Sequence, residues 1–115
     1  MVHVVVYRQE GLLRGFNVTG HADYDVYGSD IVCAGISAVA QTILIGLVEH
    51  AQVKASFVIE PGNLQCLLEA EQADNPGVQL LLKTLATGVE EMEKEYGDYI
   101  QLRYQEGGPA DDSQV

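Results

Sequence analysis

The sequence predicts an α+β domain of two layers, a mainly antiparallel sheet under two helices, in the order β-β-α-β-β-α-β. Three observations predict it. Two pairs of short β-branched or alternating runs are each joined by a turn too short for a crossover. Two longer segments carry apolar residues at helical spacing. One more β-rich run follows the second helix. Hairpins separated by helices give a sheet with helices on one face.

Residues 2–7 are β-branched and aromatic and read as a strand. Arg8-Gln9-Glu10-Gly11 is a turn, and residues 12–18 return as its hairpin partner. Thr19 to Ser29 is a polar, Gly-containing loop. Ser29 or Asp30 can cap a helix that runs to about His50. That helix is apolar almost all round. One side can cover the sheet, and the other needs the second helix or a twin subunit.

Residues 53–60 alternate, with Val53, Ala55, Phe57 and Ile59 on one side. Pro61-Gly62-Asn63 is a turn, because Pro presets one torsion and Gly accepts a positive one. Residues 64–70 return as a strand, with Leu64, Cys66, Leu68 and Ala70 on one face, so Cys66 reads as a small buried hydrophobe. Asn75-Pro76 opens the second helix, whose stripe is Leu81, Leu82, Leu85, Val89 and Met92. Glu90 can pair with Lys94, and the Glu90-Glu91-Glu93-Glu95 cluster reads as a solvated face. Residues 98–104 are a last strand with Ile100, Leu102 and Tyr104 inward. Residues 1–106 make one domain, and Gly107 to Val115 a polar tail expected to be disordered.

The formal charge of −11 argues against nucleic acid as a direct partner and suits a basic protein. Solubility alone explains it equally well. The apolar stretch from Ile31 to Val48 is broken by Ser37, Gln41 and Thr42 and reads as a buried helix, so no membrane partner is expected. Two cysteines, no Cys-x-x-Cys pair and no basic region before the opening apolar run point to a reducing cytoplasm. His3 and His50 lack ligand spacing, so neither a metal nor a cofactor is expected.

The chemistry concentrates between Gly20 and Ala38. Cys33 is expected in the first turn of the first helix, where unpaired N–H groups and the helix dipole favour a thiolate. His21 precedes it by twelve residues on a loop that can fold back. An imidazole beside the sulfur takes its proton and returns it to a leaving amine. The free N–H groups at the helix start can hold an oxyanion. A helical Cys more often packs and a loop His more often does nothing, so residue type alone leaves the question open.

Gly20-His21-Ala22 followed by Gly28-Ser29-Asp30-Ile31-Val32-Cys33-Ala34-Gly35-Ile36-Ser37-Ala38 resembles the ribosomal-processing cysteine protease family, Prp. The match is dense over about nineteen residues, and the element order resembles that family's up to about Glu106. The resemblance implies a homodimeric cytoplasmic endopeptidase with Cys33 as nucleophile and His21 as base. It implies, as substrate, the N-terminal extension of large-subunit ribosomal protein number twenty-seven.

Supporting residues read two ways. Asp30 either caps the helix or orients His21. Ser37, one turn beyond Cys33, either lines the site or bonds a carbonyl one turn back. Gly20 and Gly28 can hinge the loop and admit a peptide, and Tyr24 and Tyr27 can touch it. Two other readings stand beside the protease. One is a non-catalytic, ribosome-associated module holding a basic tail. The other is the same chemistry on another substrate, such as a phage structural protein.

Overall fold

A computed structural model describes residues 1–20 and 27–108, with residues 27–30 described by their backbone alone. The expected order is present. Strand β1 (Val2–Gln9) and strand β2 (Leu12–Thr19) precede helix α1 (Tyr27–Ile45). Strand β3 (Ala55–Glu60) and strand β4 (Asn63–Leu68) precede helix α2 (Pro76–Glu95), and strand β5 (Ile100–Glu106) follows it. They form one five-stranded sheet in the order β3-β4-β2-β1-β5.

Local chemistry sets both hairpins. Glu10 and Gly11 have φ of 54° and 83°, the two positive torsions of the tight turn that suits twisted strands. Gly62, at φ 76°, follows Pro61 and closes the β3–β4 turn. β2 pairs antiparallel with both β1 and β4, so β1 and β4 run the same way. β5 pairs parallel with β1, from Val2–Ile100 to Arg8–Glu106. The sheet is therefore mixed, and α2 is the crossover that a parallel return requires.

The Asn75 carboxamide oxygen caps α2, accepting from the amides of Gly77 and Val78 at 2.8 and 3.3 Å. Val78, Leu82, Leu85, Ala86 and Val89 bury its inner stripe, with Leu81 and Met92 at the margin. Val32, Ile36, Ala40, Ile43 and Leu44 do the same for α1. A π-helical turn, Gly46–His50, carries that helix on to its end. Segment Ile31–His50 is long and apolar enough to cross a membrane, yet its inner stripe is core here. Val2, Val4, Val6, Phe16, Leu64, Cys66 and Leu68 meet the helices from the sheet. Cys66 is fully buried, as its alternation predicts, and burial pushes its thiol up to about 12.

Two expectations about charge are corrected. Lys94 pairs with Glu91, at 2.8 Å, and not with Glu90. Glu90 instead accepts from the Tyr104 hydroxyl at 2.5 Å, and Glu93 from the amide of Leu102 at 2.8 Å. Half of the acidic cluster thus ties α2 to β5 and occupies an amide of an edge strand, where an unpaired amide invites foreign pairing. Gln79, which no apolar pattern singles out, is buried and pins the first hairpin. It accepts from the amide of Leu13 and donates to the carbonyls of Leu13 and Ala73.

The alternation of residues 53–60 gives the right face but not the burial. Phe57 pairs with Cys66 and Ile59 with Leu64, so both point to the helix side of the sheet. β3 is an edge strand that α1 does not cover, and Phe57 and Ile59 remain 41% and 63% exposed.

Candidate active site

α1 starts earlier than the cap pattern predicts. Its backbone is already helical at Tyr27, so Ser29 and Asp30 lie inside the first turn and do not cap it. Gly28 is a helical residue, not a loop hinge. Cys33 falls in the second turn, where its amide is no longer one of the four unpaired helix-start groups. The dipole effect also fades beyond the first turn. The surroundings of Cys33 therefore matter more than its helix position.

Those surroundings form a cleft of about 70 Å³. Cys33, Ser37 and Gln41, four residues apart, present one face of α1 to it. Val18 and Gly20 at the end of β2 border it, and Ile59, Glu60, Gly62, Asn63 and Leu64 of the β3–β4 hairpin close the far side. Cys33 is half-buried and carries no disulfide. A thiol, a hydroxyl and a carboxamide thus open on the same space, which suits a nucleophile next to groups that hold a peptide.

Gly20 fixes where the next segment departs. Its φ is 85°, a torsion that costs glycine nothing. A Cβ there would strike the Met1 carbonyl oxygen. Its amide donates to the Gly62 carbonyl at 3.1 Å, tying the end of β2 to the β3–β4 turn. His21 and Tyr24 lie outside the described residues, and Asp30 and Tyr27 are described only as helix backbone.

The structure therefore brings Gly20, Cys33 and Ser37 together, as the sequence reading groups them. It adds Gln41, Ile59, Glu60 and Asn63. Gln41 was findable, since it continues the four-residue spacing from Cys33 and Ser37. The hairpin residues were not, because only strand order brings them beside α1. Among the described residues, no group of three His, Cys, Asp or Glu side chains has the geometry to hold a metal ion.

A family model described as "Cysteine protease Prp" matches residues 1–101. The chain belongs to that family. A ribosomal processing cysteine protease Prp of Bacillus subtilis (strain 168) is 31% identical over 101 residues, covering 81% of this chain and 86% of its own. The Prp of Staphylococcus aureus has been solved with a substrate peptide. That structure is 28% identical, covers 91% of this chain and 100% of its own, and superposes with a TM-score of 0.81. The same S. aureus enzyme with a covalently linked product peptide is 29% identical over the same shares, with a TM-score of 0.78. As a Prp, this protein is a cysteine protease, and its fold is the family's mixed α+β sheet under two helices.

Proposed function

We propose that this Prp is the endopeptidase that removes the N-terminal extension of large-subunit ribosomal protein number twenty-seven, with Cys33 as nucleophile and His21 as base. The observation that carries the reading is the sharing of one cleft by Cys33 and Gly20, since His21 is the residue that follows Gly20. The support for His21 as the base is its place in the sequence, directly after a residue that borders the Cys33 cleft.

The chemistry runs in two halves. The imidazole of His21 accepts the Cys33 proton, and the sulfur adds to the scissile carbonyl carbon. The tetrahedral adduct collapses as the imidazolium gives its proton to the leaving amine. Water, deprotonated by the same imidazole, then attacks the thioester, and Cys33 leaves with a proton. Ser37, one turn beyond the sulfur, and Gln41, two turns beyond, supply hydrogen-bonding groups for the peptide. Asp30 orients His21, a role favoured once the helix starts before it. Gly20, Tyr24, Tyr27 and Gly28 frame the peptide's entry.

The relatives in B. subtilis and S. aureus are named as ribosomal processing enzymes, which supports the substrate class. A basic ribosomal protein complements a chain of net charge −11. The reading places the enzyme in the cytoplasm, where ribosomes are assembled, as a homodimer. Ile31, 59% exposed, with the exposed Ala34 and Ala38 makes an outward apolar stripe on α1 for the second copy.

Incubating the precursor ribosomal protein with the enzyme and with Cys33→Ala tests the reading by intact mass. The wild type removes the extension and the variant leaves it. Undiminished trimming by Cys33→Ala defeats the assignment.

A further inference from the structure

Val5 and Tyr7 are 7% and 4% exposed, yet neither belongs to the core beneath the helices. They alternate with Val4 and Val6, which do, so they stand on the sheet's other face. Paired positions carry that face across all five strands in one row: Ser56, Leu67, Gly15, Tyr7 and Gln105. Gly15 brings no side chain to the row and leaves a notch between Leu67 and Tyr7. Among the described residues, both helices pack on the opposite face. Apolar side chains buried here need a cover of another kind.

The chain itself begins to supply that cover. After β5, Gly107 takes a φ of 86° and donates its amide to the Arg8 carbonyl at 2.7 Å. The Gln105 carboxamide, whose oxygen accepts from Arg103 at 3.1 Å, donates to the Gly108 carbonyl at 2.7 Å. A Cβ on Gly108 would lie 3.8 Å from the Leu67 side chain, in ordinary contact. Within two residues the chain has left β5 at the sheet's edge and turned back over the row, toward Leu67 on β4. Pro109 comes next, and without an amide hydrogen it cannot extend the β5 ladder. The turn lies past residue 101, where the family match ends.

Reach and charge say where the next residues go. Ser56 pairs with Leu67 one strand further on, ~4.8 Å away, and Lys54 precedes Ser56 by two residues, ~6.6 Å along the chain. Lys54 is exposed and shares its side of the chain with Ser56 and Val58 by alternation. Three or four extended residues beyond Gly108 span ~10–13 Å, which brings Asp111 and Asp112 to the Lys54 ammonium. With 17 acidic side chains against 6 Lys and Arg, a carboxylate pair has few other cations to meet. We infer that residues 109–115 cross the helix-free face of the sheet as a strap, over Leu67 and Ser56, with Asp111 and Asp112 against Lys54. Composition alone suggests disorder for this segment; the anchored turn at Gly107–Gly108 and the buried row beneath it argue for docking. The strap crosses at the Gly15–Leu67 end of the β2–β4 pair, away from Gly62 and on the opposite face from Cys33, so the inference is independent of the protease reading.

Paramagnetic relaxation in the full chain reads the position of the segment. The probe is a nitroxide on Ser113→Cys in Cys33→Ala protein, in which the fully buried Cys66 stays unlabelled. The amides of Ser56, Val58 and Leu67 are expected to lose more than half their intensity relative to the reduced label, while those of Ile31 and Ala34 on α1 keep theirs. Adding Lys54→Glu, a change at an exposed side chain, is expected to restore at least half of the lost intensity. Uniform weak broadening across all these amides overturns the inference, and undiminished broadening in the Lys54→Glu protein overturns the placement of the two carboxylates. A mixture of nitroxide-labelled protein with isotope-enriched, label-free protein tests for a second copy. Broadening of Ser56 in the enriched chains would put another molecule's segment on this face and overturn docking within one chain.

Discussion

The amide of Gly20 donates to the carbonyl of Gly62, joining the end of β2 to the β3–β4 turn across 3.1 Å. This bond sets the position from which the motif segment leaves the sheet. It also holds the turn that closes the cleft opposite Cys33. One strand end thereby organises two walls of the site.

Replacing Gly20 with Ala is expected to cost about 1–3 kcal/mol, because a Cβ is forced into a left-handed torsion and against the Met1 carbonyl. Processing is expected to fall further than stability accounts for, since the cleft wall moves. Urea unfolding and precursor cleavage, measured together well below the transition, check this. A variant that is destabilised but fully active would separate Gly20 from the site.

His21→Ala is expected to slow alkylation of Cys33 by iodoacetamide at neutral pH by tenfold or more, through loss of the proton acceptor. Peptide mapping after timed labelling reads the rate at each cysteine. An unchanged rate removes His21 from the role of base.

Gln79→Ala is expected to destabilise the fold by about 1–3 kcal/mol while leaving the kinetics of the folded enzyme intact. The loss comes from the Leu13 amide, buried and left without its acceptor. A urea midpoint that stays put would mean that the first hairpin does not depend on this side chain.

Burial raises the Cys66 thiol from 9.0 to about 12, and this has a sign in stability. Below about pH 9 the thiol is protonated in folded and unfolded chains alike, so its contribution is fully present. Between 9 and 12 the unfolded chain loses the proton and the folded chain keeps it. Stability therefore falls as pH rises, by at most about 1.4 kcal/mol per pH unit from this group. Cys66→Ala is expected to be less stable at pH 8 yet to lose less on going to pH 10.5. Parallel stability curves for the two proteins would contradict the shift.

Much of the fold was legible because local chemistry carries it. Pro61-Gly62 and Asn75-Pro76 have torsional and capping preferences that need no tertiary partner, and both sit where the sequence puts them. The start of α1 was not legible. Ser29 and Asp30 are good cap residues, and they masked a helix that begins at Tyr27. The exposure of Phe57 and Ile59 was hidden for a different reason. Alternation assigns a face, whereas strand order decides whether a helix covers it. The parallel pairing of β5 and the bonds of Glu90 and Glu93 to its neighbourhood likewise depend on contacts distant in sequence. In the site, Cys33, Ser37 and Gly20 were legible from one motif, but the hairpin that faces them was not.

The most direct measurement is the location of a covalent adduct. A chloromethyl ketone built on the precursor's processing sequence carries its electrophile where the scissile bond would lie. Intact mass and peptide mapping are predicted to show one adduct per chain, on Cys33, with Cys66 unmodified. An adduct on Cys66, or a Cys33 that stays free while the ketone is bound, would contradict the account.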